Sequence, residues 1–177
     1  MRNLRILSFF VFLAIFSLTF ALASEVQLSE DETTIIMEEF DDMTKGIDAV
    51  GIFVHNVSIA LPMFIPGFGI AWGLFAAFST GIAFSAMKST IPLLNQIPSL
   101  SILFMSPFGL MEIAAYSIAM SRSYILIHKI IKKMPIRPDI RVICLEVAIL
   151  VALLLAGGFL EYFLIENMSG VNQSITD

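Results

Sequence analysis

Long apolar runs separated by short polar segments dominate the sequence. Residues 6–20 carry no charge, and residues 49–87 are apolar except for His55, Asn56 and small polar residues. A spanning helix needs about 20 residues, so the second run is long enough for two helices. Prolines and glycines within residues 62–69 predict the break between them. We expect these helices to cover about residues 49–65 and 68–87.

Two further helices are predicted over residues 107–128 and 142–165, the first opened by Pro107. Residues 88–106 contain two prolines and a lysine among apolar positions. They are too broken for a spanning helix and too apolar for an ordinary loop, which favours a re-entrant or interfacial segment before the break at residues 107–109. The predicted fold class is an all-α, polytopic membrane helical bundle, with about four spanning helices after an N-terminal signal peptide or signal anchor.

The N-terminal apolar run has two interpretations. Arg2 and Arg5 precede it, and the small-x-small sequence Ala-Leu-Ala ends it at residues 21–23. This order is typical of a cleaved signal peptide. The run is also just long enough to remain as a signal anchor. Either alternative places residue 24 on the outer side of the membrane.

Residues 24–48 are acidic and predict an amphipathic helix outside the membrane. Ser29 followed by Glu32 fits a capping box, in which each residue bonds the backbone of the other. An apolar stripe then recurs at helical spacing at Ile36, Phe40, Met43 and Ile47. The acidic face opposite could attract cations or dock a partner. The simpler interpretation is a solvated helix that lies over the membrane domain.

Composition supports a membrane protein, and charge sets its expected orientation. Hydrophobic residues make up 58% of the chain and charged residues 14%, against about 45–50% and 25% in soluble domains. The net charge of -5 hides a segregated basic block at residues 129–141. The positive-inside rule predicts a multi-pass protein of the cell membrane with this loop in the cytoplasm, and with residues 24–48 and the C-terminus extracytoplasmic. Nothing resembles a nucleic-acid footprint.

The predicted organisation has four parts. Residues 1–23 are the signal peptide or anchor, 24–48 the acidic segment, 49–165 the membrane domain and 166–177 an extracytoplasmic tail. Within the membrane domain, a stripe of small residues lets helix backbones approach closely. The stripe consists of Gly69, Gly73, Ala77, Gly81 and Ser85.

Polar residues at membrane depth are the candidate functional groups, because an isolated charge is costly in lipid. Asn56, Glu112 and Glu161, with His55 as a further member, are expected to form a polar pocket in the outer half of the membrane. Such a pocket would bind a cation, a lipid head group or a peptide partner. The structural alternative is that Glu112 caps the broken backbone at residues 107–109 and hydrogen-bonds Asn56.

Other chemistry is poorly supported by the sequence. Arg122 and Glu146 fall at comparable depth near the inner face and are expected to form an ion pair. The two histidines are predicted in opposite halves of the membrane, and no catalytic or metal-ligand set is evident. We therefore predict no enzymatic activity, no metal and no cofactor. Cys144 is the single cysteine, which excludes an internal disulfide and predicts a buried thiol.

Three stretches resemble a known family. Residues 53–60 read FVHNVSIA, residues 80–86 read TGIAFSA, and residues 107–115 read PFGLMEIAA. They are similar to the aromatic-x-x-Asn, Asn-Gly-x-x-x-Gly and Pro-His-Gly-x-x-Glu-x-Pro-Ala elements of the stage II sporulation protein M family. The chain departs from these elements at Thr80, Ser85, Phe108 and Ala114, where the family commonly has asparagine, glycine, histidine and proline.

The resemblance implies an integral membrane protein that works through partners. In spore formers, family members belong to a membrane complex with peptidoglycan-degrading partners that drives engulfment, and members also occur in organisms that form no spores. We expect a non-enzymatic scaffold with lipid and with membrane or envelope proteins as partners, and homo-oligomers are compatible with the small-residue stripe. The alternative is a small transporter or channel with its polar pocket around Glu112 and Asn56.

Overall fold

The computed structural model describes the backbone of residues 2–176 and the side chains of residues 3–167, and this part of the chain is helical without strands. The predicted all-α class is confirmed. Three short 3-10 turns lie at Leu61–Phe64, Pro92–Gln96 and Arg137–Asp139. The α-helices are α1 (Arg2–Ala23), α2 (Glu30–Thr44), α3 (Ala49–Ala60), α4 (Phe68–Thr90), α5 (Ser99–Met105), α6 (Pro107–Ile131) and α7 (Ile140–Thr176).

Four helical stretches are long and apolar enough to cross a membrane, as expected for a polytopic bundle. They are Asn3–Ala23, Phe68–Thr90, Pro107–Ile131 and Arg137–Asn167. The number of such helices agrees with the predicted four, but they are not the four helices that were predicted. The first helix belongs to the set, and α3 reaches the required length only together with α2, from which it is bent by 120°.

The shortness of α3 follows from Pro62. The α-helix ends at Ala60, and the proline is the second residue of the 3-10 turn Leu61–Phe64. The segment still lies along α6 over much of the bundle. Asn56 contacts Glu112 near the start of α6, and the Ser123 hydroxyl donates to the carbonyl of Ile65 at 2.6 Å. Residues 49–65 therefore run beside α6 in the same direction.

The turn from α3 into α4 depends on two glycines. Gly67 has a φ of 78°, a left-handed conformation that glycine adopts without steric cost. Gly69 lies directly against the preceding turn, where an added Cβ would come within 1.8 Å of the Met63 carbonyl oxygen. The chain can therefore reverse within a few residues and pack α4 against the end of α3.

Helix α6 is the centre of the bundle and packs against α1, α4, α5 and α7. The backbones of α6 and α4 approach each other closely, because glycine stands at their interface. A Cβ on Gly73 would come within 2.5 Å of the Met120 sulfur. Part of the small-residue stripe thus serves packing within one molecule. The largest core side chains are Phe12, Phe16, Met63, Ile113, Tyr116, Met120, Leu150 and Leu154.

The bundle has two ends, which we call the Glu112 end and the Arg122 end after those residues of α6. The start of α1 and the 65–67 turn lie toward the Arg122 end, since Arg5 contacts Glu146 and Gly67 lies next to Ile127. Residues 24–26 and 88–106 lie at the Glu112 end, beyond Gly81. Helices α1, α4 and α7 run toward the Glu112 end, whereas α3 and α6 run away from it.

Helix α1 packs into the bundle to the same extent as α4. Phe12, Phe16 and Phe20 are buried, and the hydroxyls of Ser8 and Ser121 lie 2.6 Å apart. Its last turn meets α4 so closely that a Cβ on Gly81 would lie 2.6 Å from both the Phe20 carbonyl oxygen and the Ala23 Cβ.

We predict that residues 1–23 remain in the mature protein. The Ala-Leu-Ala sequence at 21–23 is helical, and the peptide bond after it joins Ala23 and Ser24, which are both buried. A protease that needs an accessible chain would not reach this bond once α1 has packed against α4. Intact-mass measurement of protein purified from membranes is expected to give a chain that includes α1. An N-terminus at Ser24 would contradict the prediction.

The polar segments hold more helix than the sequence suggested. The predicted capping box is confirmed, with the Glu32 amide 3.3 Å from Ser29 Oγ and the Ser29 amide 2.9 Å from Glu32 Oε2. Helix α2 packs against α4 without burying any residue completely. Residues 166–176, predicted as a tail, continue α7, and residue 177 lies outside the described residues.

Candidate functional site

The contact between Asn56 and Glu112 is the central feature of the polar group near the Glu112 end. Asn56 is buried on α3, and its Nδ2 donates a hydrogen bond to Glu112 Oε1 at 2.6 Å. Glu112 lies in the second turn of α6 and is half-buried. The two residues therefore join α3 to α6 at a depth where an unpaired carboxylate is costly.

Of the two contacts in the structural alternative, the hydrogen bond between Glu112 and Asn56 is present, but Glu112 does not cap the break before α6. Ser106 is the N-cap residue, and its hydroxyl accepts a hydrogen bond from the Gly109 amide at 3.1 Å. Pro107 occupies the first turn, where its missing N–H costs nothing. The Glu112 carboxylate is therefore left to face the neighbouring helices.

Glu161 and Tyr116 are two further polar side chains toward this end of the bundle. Glu161, on α7, is half-buried. Tyr116 is only 6% exposed, and its ring packs against Phe16. Tyr116 is not among the residues predicted for the pocket. Its position one helical turn after Glu112 was the available signal.

His55 does not belong to this group. Its side chain is exposed, whereas the neighbouring Asn56 is buried. Consecutive residues on an α-helix point about 100° apart, so one side chain can face the bundle while the next faces away from it. Of the four residues predicted for a pocket, the structure joins Asn56 to Glu112, places Glu161 half-buried on α7 and leaves His55 exposed. The pocket itself stays a prediction. Cys144 is likewise exposed, so the expectation of a buried thiol is wrong.

Arg122 and Glu146 form a second polar group toward the other end of the bundle. Arg122 Nε and Nη2 lie 2.5 and 2.7 Å from the two carboxylate oxygens of Glu146, a bidentate arrangement. Arg5 of α1 also contacts Glu146, at 2.5 Å. Arg122 is 1% exposed, so this carboxylate neutralises a fully buried cation. Arg5 is not part of the predicted ion pair, because its position before a removable or anchoring segment gives no sign that it meets Glu146.

Two further ion pairs lie near the ends of the bundle. Lys88 is buried and donates to Glu25 Oε1 at 2.7 Å, and this contact keeps the pKa of the Glu25 carboxyl below its usual value. The Ser99 hydroxyl donates to the same oxygen at 3.0 Å and lowers that pKa further. Lys129, in the predicted basic loop, is buried and pairs with Asp139. The first pair joins the end of α4 to the segment after α1, and the second joins the end of α6 to the turn before α7.

The described residues do not form a metal site built from the common protein ligands. Within the described residues, no group of three or more histidine, cysteine, aspartate or glutamate side chains is placed to hold a metal ion. Every side-chain nitrogen or oxygen atom that is buried from solvent in the same part of the chain has a hydrogen-bond partner.

Comparison with known proteins gives one family. No curated protein and no solved structure matches the chain significantly. The family described as Stage II sporulation protein M matches residues 6–164. The matched region includes most of α1, the Asn56–Glu112 contact and the Arg122–Glu146 pair, and it begins one residue after Arg5. It covers most of the sequence and most or all of each of the four helices that are long enough to span a membrane. The protein is therefore a multi-pass membrane protein and belongs to the Stage II sporulation protein M family.

Proposed function

We propose that this protein is a non-enzymatic scaffold for membrane or envelope complexes. The observation that carries the proposal is the Arg5–Glu146–Arg122 group, which joins α1, α6 and α7 through buried charge. Ion pairs of this kind favour one fixed helix arrangement over a set of interchangeable ones. A bundle with a fixed arrangement is suited to hold partners, and family membership supports the same role.

We further propose that the Arg122 end faces the cytoplasm and the Glu112 end faces outward. The connection between α6 and α7, together with the first turn of α7, exposes four cationic residues that the positive-inside rule would keep inside. They are Lys132, Lys133, Arg137 and Arg141. The acidic α2 then lies outside, next to the end of α4.

Helix α2 is the surface that we assign to partners. Its half-buried positions include Ile36, Met37 and Phe40, while its acidic residues are exposed. The apolar stripe is thus largely occupied by this chain, and the carboxylates remain for contact with a membrane or envelope protein. A second copy of the chain would be repelled by the same charge, which favours a different protein as the partner.

Site-specific photo-crosslinking in native membranes tests the scaffold. A photoreactive residue in place of Glu38 or Asp42, both exposed on α2, is expected to give discrete crosslinked products with the same proteins. The matched control is the exposed Lys133 at the opposite end, which is expected to give a different set. Absence of discrete products from both α2 positions would contradict the proposal.

A transporter or channel is the second candidate function, and the polar group of Asn56, Glu112 and Glu161 favours it. Carboxylates at membrane depth commonly line a path for protons or ions. Purified protein in proteoliposomes would then carry a flux that Glu112→Gln abolishes and Glu38→Gln leaves unchanged. A scaffold is expected to show no flux with either form of the protein.

A further inference from the structure

A cavity lies between the start of α3 and the C-terminal half of α7. Its volume is about 450 Å³, which is within the range of small-molecule binding sites. Its lining includes Asp48 and Ala49 at the start of α3 and Phe159, Tyr162, Phe163 and Glu166 on α7.

The cavity forms where α7 continues past the beginning of α3. A Cβ on Gly158 would lie 3.1 Å from the Phe53 amide nitrogen and 3.2 Å from the Ala49 carbonyl oxygen, so the two helices cross there in close contact. Helix α3 begins at Ala49, and α2 before it is bent away by 120°. The other three α7 residues of the lining follow Phe159 by three, four and seven positions, and therefore share one helix face.

Two carboxylates give the cavity its charge. Asp48 and Glu166 are both exposed. Asp48 Oδ1 accepts a hydrogen bond from the Gly51 amide at 2.7 Å, which leaves Oδ2 for another partner. Neither carboxylate forms an ion pair with a residue that the structure describes. A cation is therefore the complementary ligand.

The aromatic side chains narrow the choice of cation. Phe159 and Phe163 are 53% and 60% exposed, and Tyr162 is half-buried. The faces of aromatic rings attract organic ammonium groups, which are the usual ligands of aromatic sites with a negative charge nearby. Hard metal ions take oxygen ligands and gain little from such rings. The lining therefore suits an ammonium group attached to an apolar molecule.

The position of the cavity favours a lipid as the source of that group. The α7 part of the lining belongs to Arg137–Asn167, a stretch long and apolar enough to span a membrane. Its exposed phenylalanines are therefore in contact with acyl chains. Glu166 lies about 10 Å further along the helix than Phe159, close to the end of the stretch. The cavity is thus aromatic toward the membrane interior and acidic toward the interface, as an amphipathic lipid requires.

We propose that this cavity binds a membrane lipid whose headgroup carries an ammonium group, with phosphatidylethanolamine as its representative. The ammonium group lies between the carboxylates of Asp48 and Glu166, against the aromatic rings of the lining, and the acyl chains follow Phe159. The bound lipid joins the start of α3 to α7. The inference does not depend on the scaffold role or on the orientation of the protein, because the same contacts form in either leaflet.

Lipid retention by the full chain tests the site. The protein is reconstituted into nanodiscs of equal parts phosphatidylethanolamine and phosphatidylglycerol with the same acyl chains, and native mass spectrometry identifies the lipids that stay bound. The wild-type chain is expected to retain phosphatidylethanolamine several-fold more often. Asp48→Asn combined with Glu166→Gln is expected to abolish this preference. Phe163→Leu is expected to reduce it about twofold or more, the loss that corresponds to one exposed cation–π contact.

Two matched controls separate the cavity from the general charge and surface of the protein. Glu38→Gln combined with Asp42→Asn removes the same two charges from exposed positions on α2 and is expected to keep the preference. Phe78→Leu removes an exposed ring from α4 and is expected to keep it as well. Asparagine is as good an N-cap residue as aspartate, so Asp48→Asn should leave α3 intact. Size-exclusion chromatography establishes that each variant is folded.

Equal retention of the two lipids by the wild-type chain would overturn the inference, and so would an unchanged preference in the Asp48→Asn, Glu166→Gln variant. Phe163→Leu carries the test if that variant fails to fold. A photoreactive residue in place of Phe163 is expected to crosslink lipid in native membranes. Crosslinks to protein instead of lipid would assign the cavity to a basic segment of a partner and would also overturn the inference.

Discussion

Gly69→Ala is expected to prevent the chain from reaching its native fold. The added Cβ would lie 1.8 Å from the Met63 carbonyl oxygen, 2.4 Å from the carbonyl carbon and 2.8 Å from the Met63 Cα. These are backbone atoms in a turn held by Pro62 and Gly67, so a rotamer change cannot relieve the clash. Overpacked cores commonly lose about 1–3 kcal/mol, and a backbone clash this close should exceed that range. Yield and monodispersity in detergent are the measurements.

The matched control for this prediction is Gly157→Ala. A Cβ at Gly157 would meet Met111 Cβ at 3.6 Å as its nearest neighbour, an ordinary van der Waals contact. Alanine also has the higher helix propensity, so the control should fold with unchanged or slightly raised Tm. Equal yields for the two variants would show that the turn before α4 is not packed as described.

Arg122→Ala is expected to destabilise the bundle by about 3–5 kcal/mol, the usual cost of removing one partner of a buried ion pair. The substitution leaves the Glu146 carboxylate, which is 12% exposed, with only the half-exposed Arg5 as its partner. It also removes a large, fully buried side chain from the middle of α6. The expected result is a large fall in Tm measured in nanodiscs. Glu39→Gln, on the exposed face of α2, is the neutral control.

A double substitution separates the charge effect from the loss of packing. Arg122→Met restores much of the volume, and combining it with Glu146→Leu removes the carboxylate that Arg122→Met alone would strand. We expect the double variant to be more stable than Arg122→Met alone, because a buried pair replaced by apolar residues often costs little. A double variant that is less stable than that single variant would contradict the role given to the ion pair.

The helices could be predicted because hydrophobic length and proline position act locally. Pro107 opens α6, and the Ser29–Glu32 capping box opens α2, both as their sequence positions indicate. The extent of α3 was less predictable, since the α-helix ends two residues before Pro62 and a 3-10 turn that contains the proline continues along α6. Apolar length alone does not tell a full span from a helix that stops short.

The polar contacts were less predictable because they depend on which helices become neighbours. Arg122 and Glu146 lie on helices joined by a short loop, so their depths could be compared from the sequence. Arg5 and Glu146, by contrast, are 141 positions apart, and nothing local brings α1 beside α7. The sequence also could not decide whether Asn56 or His55 faces α6, since this depends on the rotation of α3 about its own axis.

The long separation between Arg5 and Glu146 has a consequence for how the protein is made. The first helix leaves the ribosome well before residue 146 has been translated, and Arg122 also emerges ahead of its carboxylate. Both guanidinium groups therefore stay at the membrane surface or beside the insertion machinery, without their carboxylate partner, until α7 is inserted. The last helix then acts as the closing element of biogenesis, and nascent chains truncated before it should be recognised as incomplete and degraded.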